Sequence, residues 1–469
     1  MSPATPTEPH LIPSVEPPPT RIRRRSLAHQ KSAQRSLAIV NLSPSELVVA
    51  RARLRKYQPR HREHLLQSVT RWGIVEPILI DADRRVIAGH QILAAALELG
   101  LATVPTIALA NLSDAQARAL RIALNKLPEL SSWDPNVLKD ELAFLADFDI
   151  DLVSFTAFSS AELDVILTPT EDNPDDALPG PLKQAISQLG DIWTFEGGHR
   201  LGCLDVLSEV SLPAVMAGML ANLVLCDPPY NVPVAGHVTG RVGAREFAMA
   251  SGEMSVAEFT AFLHAVFERL WEHAEDGSLS LQFMDWRHMQ EMLAAGHAVY
   301  QQLLNLAVWA KTNPGMGSLW RSGHELCFIW KKGAAAHVNN IELGRNGRNR
   351  SNVWSYPGAN SFSRAGDPDG LEHVTPKNVA MIQDAILDVS RRGDIVLDAF
   401  AGSGTTLVAA HRAKRRGFGL EIDPLYVDLA VRWMERCTRA QARHAGTGLT
   451  FAEMAEQRGI VLPPCLRRT

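Results

Sequence analysis

Apolar residues along most of the chain follow one of two patterns. Short unbroken apolar runs, as at 222–226, 279–284 and 303–310, predict buried strands. Between them, apolar residues spaced three and four apart predict helices, most clearly over 255–271. Strands that alternate with helices in this way predict an α/β fold, with a doubly wound and mostly parallel sheet covered by helices on both faces.

The first third of the chain shows a different pattern. A helical spacing that stops at Gly73 is followed by short strand patterns and by two further helical stretches. This mixture predicts a small α+β domain that precedes the larger one. Its predicted strands lie at 74–80, 86–90 and 104–109, and its predicted helices at 91–99, 113–126 and 135–148.

Composition shifts mark the predicted domain boundaries. The first 36 residues are rich in proline and then in arginine, which predicts a disordered basic leader, either merely solvated or attracted to DNA. Proline, acidic and small residues over 168–180 predict a linker. The predicted order is a leader (1–36), a small domain with a helical extension (37–167), the linker (168–180), a large domain (181–440) and a C-terminal tail (441–469).

The bulk composition excludes some classes of protein. A length of 469 residues, 46% of them hydrophobic, predicts two or three domains with ample cores. A formal net charge of −4 means that any site for a polyanion must be a local patch. Five cysteines without paired spacing favour a reducing compartment and argue against a structural metal. No signal peptide or membrane-spanning run is found, so we expect a cytoplasmic protein without membrane contact.

The first candidate site follows the predicted strand 222–226 and consists of Asp227, Pro228, Pro229 and Tyr230. Two consecutive prolines lack N–H groups, so strand pairing must stop there and nearby carbonyls stay available. A carboxylate, free carbonyls and an aromatic face suit the binding of a flat ring that bears an amino group. A simple turn, in which Asp227 caps and Tyr230 packs, is the alternative.

The second candidate site is a glycine-rich turn between a predicted strand at 394–398 and a helix that begins near residue 405. Glycines let a ligand approach the backbone, and the helix start offers free N–H groups. Glu421 ends the next predicted strand and is placed to accept hydrogen bonds from ribose. No lysine follows as in a P-loop, and Leu407 replaces the third dinucleotide glycine, so S-adenosylmethionine fits best. The candidate residues are Asp398, Phe400, Gly402, Ser403, Gly404, Thr405 and Glu421.

A third feature is the polar stretch from 331 to 370, where arginine, asparagine and glycine dominate and aromatic residues are interspersed. Arg345, Arg348 and Arg350 would suit contacts with phosphates and base edges. An ordinary long surface loop is the alternative.

Together, the Asp-Pro-Pro-Tyr tetrapeptide and the Phe400-x-Gly402-Ser403-Gly404 turn resemble the amino-methyltransferases of DNA. The resemblance implies transfer of a methyl group from S-adenosyl-L-methionine to N6 of adenine. Cytosine N4 is the alternative, although its enzymes more often carry serine at the position of Asp227. The tetrapeptide precedes the glycine turn, as in the β group of these enzymes, which implies target recognition over about 312–370.

The same resemblance implies further cofactor residues. Asp205 corresponds to an acid that meets the adenine ring of the cofactor. Thr375 and Lys377 correspond to a segment that lines its pocket. The implied partner is double-stranded DNA, no metal is required, and a homodimer is left open.

Several short motifs of the small domain form a second resemblance, to the ParB-like, sulfiredoxin-related domains found in front of phage-type methyltransferases. Ile92 stands where that family has a phosphate-binding arginine, so we expect a module that contacts DNA or a partner rather than one that hydrolyses nucleotides. A ParB-like DNA-binding protein with an inactive second half is therefore a further alternative, and methylation of RNA or of a protein glutamine is another. The motifs lie at 59–60, 72–78, 88–90, 125–127 and 133–134.

Overall fold

The structure is a computed structural model that describes residues 37–49, 54, 59–148, 155–168, 178–180, 182–232, 252–311, 319–341, 348–358 and 376–462. It divides into two compact units, and the division falls between Ser132 and Trp133. The predicted boundary at the linker 168–180 is a different division of the same chain and stays a prediction.

The first unit is built on a four-stranded sheet in the order β1-β4-β2-β3. The central pair β2 and β4 is parallel, and the outer strands pair antiparallel. Gly89 starts α2 with a φ of +92°, and a Cβ there would lie 3.2 Å from the Ile78 backbone, so glycine is required at this turn. The elements are β1 (Ile39–Leu42), α1 (Pro59–Trp72), β2 (Ile78–Ile80), β3 (Val86–Ala88), α2 (His90–Glu98), β4 (Val104–Ala108) and α3 (Asp114–Lys126), with 3-10 turns at Pro44–Glu46 and Leu127–Leu130.

The second unit begins with two helices, α4 (Pro135–Asp147) and α5 (Ser160–Leu167). Asp164 of α5 is fully buried and forms a two-pronged ion pair with Arg415, with nitrogen–oxygen distances of 3.0 and 2.8 Å. Arg392 adds a third contact to the same carboxylate. The end of the segment 37–167, which the sequence assigns to the small domain, is thus anchored in the large unit.

The core of the second unit is a sheet of ten described strands in the order β11-β9-β10-β8-β7-β12-β13-β6-β5-β14. Its centre, from β8 through β7, β12 and β13 to β6, is parallel, whereas β10 and β5 pair antiparallel with their neighbours. The strands are β5 (Ile192–Phe195), β6 (His199–Cys203), β7 (Ala221–Cys226), β8 (Ala274–Met284), β9 (Gln302–Lys311), β10 (His324–Lys331), β11 (Val353–Tyr356), β12 (Ile395–Asp398), β13 (Arg416–Glu421) and β14 (Arg443–His444).

Helices cover both faces of this sheet, so the predicted α/β, doubly wound class is confirmed. One face packs against α6, α7 and α8, and the other against α9 to α12. None of the helices in the described ranges is long and apolar enough to cross a membrane. The helices are α6 (Ser211–Met216), α7 (Val256–Glu272), α8 (Met289–Val299), α9 (Val379–Val389), α10 (Thr405–Arg412), α11 (Pro424–Thr438) and α12 (Phe451–Gln457), with a 3-10 turn at Trp286–His288.

Candidate active site

Two of the predicted loops leave neighbouring strands at the same edge of the sheet. The strands β7 and β12 are parallel, with Leu223 opposite Val396 and Val224 opposite Leu397. Their carboxyl ends therefore meet, and the backbone N–H of Ala399 donates to the Cys226 sulfur at 3.2 Å. The tetrapeptide that starts at Asp227 consequently lies beside the glycine turn.

Both oxygens of the Asp227 carboxylate have partners. The Tyr230 hydroxyl donates to Oδ1 at 2.5 Å, and the Lys377 ammonium lies 2.8 Å from Oδ2. The Asp227 side chain is still 34% exposed, so a ligand can reach it from solvent. The structure thus places Lys377 at the tetrapeptide, although the sequence assigned it to the cofactor pocket.

Glu325 of β10 completes this cluster and was missed by the sequence analysis. Its Oε2 accepts from Lys377 at 2.6 Å and lies 3.0 Å from the Tyr230 hydroxyl. Its Oε1 accepts from Lys311, the last residue of β9, at 2.5 Å. A lone glutamate inside an ordinary strand pattern gives no signal, because its partners are distant in sequence.

Burial and charge shift the pKa values in this cluster. Burial raises the pKa of Tyr230 well above its usual value, and the carboxylates of Asp227 and Glu325 raise it further. Burial alone would raise the pKa of Glu325, but Lys377 and Lys311 outweigh it and lower that pKa to about 2. The pKa of Lys377 is raised, because Asp227 and Glu325 outweigh the effect of its burial. A neutral Tyr230, an ionised Glu325 and a protonated Lys377 are the expected forms at neutral pH.

The glycine turn connects β12 to α10. Gly402 and Gly404 have φ values of +51° and +92°, a region that disfavours other residues. The side chain of Asp398 holds the turn, because it accepts from the Phe400 N–H at 3.0 Å and from the Thr406 hydroxyl at 2.6 Å. Burial raises the pKa of Asp398 to about 7.

Glu421, at the end of β13, closes the other side of the turn. Its two oxygens accept from the backbone N–H groups of Gly402 and Asp423, each at 2.9 Å. Burial raises the pKa of Glu421 to about 7, although these two hydrogen bonds lower it. Since a carboxylate has about four acceptor positions, Glu421 keeps capacity for a ligand hydroxyl.

Three further predicted cofactor residues, Asp205, Ser403 and Thr405, lie near this edge or inside the turn. Asp205 follows β6, the strand beside β13, and its carboxylate accepts from the Leu207 N–H at 2.9 Å. Ser403 and Thr405 are buried within the turn and the start of α10. Thr375 lies outside the described residues. The roles assigned to these residues stay predictions.

Two of the arginines predicted to bind DNA form ion pairs with acidic residues of α9. Arg348 and Arg350 both pair with Asp384 and Asp388 of α9, at distances from 2.8 to 3.1 Å. Both guanidiniums therefore face carboxylates of their own chain, and their role in DNA binding stays a prediction. Arg345 lies outside the described residues.

The tetrapeptide, the glycine turn and Glu421 therefore share one edge of the sheet. Two type II methyltransferases are similar to this chain in sequence. The chain is 25% identical over 227 residues to a type II methyltransferase of Streptococcus pneumoniae, M2.DpnII, covering 46% of this chain and 82% of the relative. It is 27% identical over 243 residues to a second type II methyltransferase, M.HinfI of Haemophilus influenzae. This match covers 49% of this chain and 65% of the relative.

A solved ParB structure from Caulobacter crescentus is also similar, at 18% identity, 28% coverage of this chain, 81% coverage of that chain and a TM-score of 0.25. At that score the ParB-like character of the first unit rests on its sequence motifs. Residues 221–432, which contain the tetrapeptide, Glu325, the glycine turn and Glu421, match the DNA methylase family. This segment is therefore similar to the DNA methylases.

Proposed function

We propose that this protein is a DNA methyltransferase that transfers a methyl group from S-adenosylmethionine to the exocyclic N6 of adenine in double-stranded DNA. The observation that carries the proposal is the adjacency of two loops: the parallel strands β7 and β12 bring the Asp227 tetrapeptide beside the glycine turn. A methyl donor and an acceptor base must meet in such a place, because transfer needs both reactants in line.

The glycine turn has the features that a nucleoside-type donor requires. Among the described residues, a Cβ built on Gly402 would meet only the Phe400 carbonyl oxygen, at 4.0 Å, so no described side chain fills the space above this glycine. Glu421 stands beside that space and holds the Gly402 N–H. We infer that the turn holds the methionine part of the donor and that Glu421 accepts from its ribose. S-adenosylmethionine supplies an electrophilic methyl group on its sulfonium.

The tetrapeptide has the features needed to bind and activate the amino group of a base. The lone pair of an adenine amino nitrogen is delocalised into the ring, so the nitrogen is a poor nucleophile. If Asp227 and the Pro228 carbonyl each accept one of its N–H bonds, the nitrogen is drawn toward tetrahedral geometry and its lone pair is freed. An ionised carboxylate is the better acceptor because it has no proton of its own. The ring of Tyr230 offers a face for stacking.

The base must leave the duplex to reach Asp227, at a cost of a few kcal/mol. Holding the two reactants in line can lower the activation free energy by about 7–11 kcal/mol, which offsets that cost. Asp227, rather than serine, at the first position of the tetrapeptide supports adenine over cytosine.

The test is an identification of the modified base. Purified protein is incubated with methyl-labelled S-adenosylmethionine and mixed-sequence duplex DNA, and the DNA is digested to nucleosides for mass spectrometry. We expect label in N6-methyladenine. Label only in N4-methylcytosine would contradict the adenine assignment, and label in neither nucleoside would contradict the proposed activity.

A further inference from the structure

The hydroxyl of Tyr230 lies between two carboxylates. Its oxygen is 2.5 Å from Asp227 Oδ1 and 3.0 Å from Glu325 Oε2. A phenol has a single proton, and an ionised carboxylate can only accept, so Tyr230 can donate to only one of them at a time. Lys377 donates to the same hydroxyl oxygen at 3.1 Å. The shorter distance indicates that the hydroxyl donates to Asp227 in this structure.

Asp227 therefore has two donors of its own chain where the proposed function requires a donor from the base. The Tyr230 hydroxyl is on Oδ1, and the Lys377 ammonium is on Oδ2. A base N–H that takes the position of the Tyr230 hydroxyl on Oδ1 displaces that donor. A displaced donor that found no other acceptor would be left unsatisfied in a largely buried site, which is costly.

Glu325 offers that other acceptor without any movement of the backbone. It already accepts from Lys377 at 2.6 Å, and its Oε2 is within reach of the Tyr230 hydroxyl. Lys311 holds its other oxygen at 2.5 Å, so the carboxylate is fixed in orientation. Rotation about the phenolic C–O bond is enough to redirect the Tyr230 O–H from Asp227 to Glu325.

We propose that Glu325 is a positioning residue that accepts the Tyr230 hydroxyl and retains Lys377 when an amino group of the DNA base binds Asp227. The inference rests on the proposed function. No covalent bond changes in this step: the base N–H takes the place of the phenolic O–H on Asp227, and that O–H turns to Glu325. Glu325 thus acts through Tyr230 and Lys377 and need not touch the base.

The activity test uses the full-length chain and the variants E325Q, Y230F and the double variant. Each is measured with saturating S-adenosylmethionine over a range of duplex DNA concentrations. We expect E325Q to lower kcat about tenfold or more while the Kd for S-adenosylmethionine stays within about twofold. In the Y230F background, where there is no hydroxyl to move, E325Q is expected to cost clearly less. E325D, which keeps the charge, is expected to recover part of the loss.

A matched control separates positioning from folding. Glu435 of α11 is another half-buried carboxylate, and it accepts from the Ala442 N–H at 2.9 Å away from the tetrapeptide. E435Q is expected to keep the wild-type kcat. Wild-type kcat in E325Q, or equal losses from E325Q in the presence and absence of the Tyr230 hydroxyl, would overturn the inference.

A second readout does not depend on catalysis. The chain has five tyrosines, so ring-carbon NMR of labelled tyrosine can resolve Tyr230 once Y230F has assigned its signal. We expect E325Q to shift this signal in the free protein and E435Q to leave it unchanged. An unchanged Tyr230 signal in E325Q would overturn the inference even if the wild type methylates DNA. If the wild type methylates nothing but the Tyr230 signal shifts in E325Q, the proposed function fails, whereas the contact between Glu325 and the Tyr230 hydroxyl is supported.

Discussion

Among single residues, Asp227 has the most direct consequence for the proposed chemistry. Alanine there removes both acceptor oxygens, so we expect methyl transfer to fall below detection while the Kd for S-adenosylmethionine stays within about twofold of the wild type. Labelled-methyl transfer and calorimetric titration measure the two quantities. Asn at the same position keeps one acceptor and should retain a trace of activity. Substantial activity in D227A would contradict the assignment of Asp227.

Gly402 allows the corresponding test of the donor side. Because a Cβ there points into open space, a bulky side chain would occupy the volume that we assign to the donor. G402L is therefore expected to abolish binding of S-adenosylmethionine, measured by calorimetry. Gly393 is a matched control, since it too has a positive φ, +81°, and no atom within 4 Å of its Cβ. G393L should suffer the same backbone strain and still bind the donor; equal loss in both variants would point to strain alone.

The raised pKa of Asp398 leads us to expect that the stability of the protein depends on pH. Its pKa in the folded protein is raised to about 7 by burial, so the folded state holds this proton more tightly than the unfolded state does. The stability that this proton contributes is complete below the unfolded pKa and is lost as the pH rises through the folded pKa. Between pH 5 and pH 8 the free energy of unfolding of the wild type should therefore fall by about 2 kcal/mol relative to that of D398N, whose side chain cannot ionise. Urea unfolding of both proteins at the two pH values measures the change, and a constant difference would contradict it.

Sequence alone predicted those site residues whose signal is local. Asp227 and Gly402 belong to short motifs in which prolines or glycines impose the backbone course, and Glu421 ends a recognisable strand. Glu325 gave no such signal, since it meets Tyr230 95 positions away in the chain. Lys377 was recognised as a site residue, but only the folded chain places its ammonium on Asp227.

Among elements, periodicity predicted the central strands and helices because burial on both sheet faces imposes it. The prediction over 255–271 corresponds to α7, whose apolar stripe of Phe259, Leu263 and Phe267 is fully buried. The direction of a strand cannot be predicted from an apolar run. The strand β10, for example, lies antiparallel between β8 and β9. The same holds for β11, which pairs with β9 inside the segment predicted as a polar loop.

The attachment of α5 to the sheet domain gives a prediction at this scale. Asp164 and Arg415 are both fully buried, so truncating Asp164 leaves an unpaired guanidinium in the interior. We expect D164A to destabilise the second unit by about 3–5 kcal/mol, measured by denaturant unfolding. The exposed His264–Glu268 pair of α7 serves for comparison, and E268A should cost no more than about 1 kcal/mol. Similar losses in the two variants would mean that the buried pair does not anchor α5.

For the whole molecule, charge has to be considered by segment. The chain as a whole carries −4, yet its first 36 residues contain six arginines and lysines against two glutamates. A local excess of this kind attracts phosphates and releases counterions, which makes binding sensitive to salt. The residues that carry the proposed chemistry all lie in the second compact unit.

A fragment of residues 133–469 separates these contributions. Since it contains Asp227, Glu325 and the glycine turn, we expect it to keep methyl transfer at saturating DNA. Because it lacks the basic segment and the first compact unit, it should bind duplex DNA more weakly and with a shallower dependence of log K on log salt concentration. Fluorescence anisotropy over a salt series measures both slopes. Equal slopes for fragment and full chain would mean that the first unit contributes no phosphate contacts, and its role would then have to be sought in a protein partner.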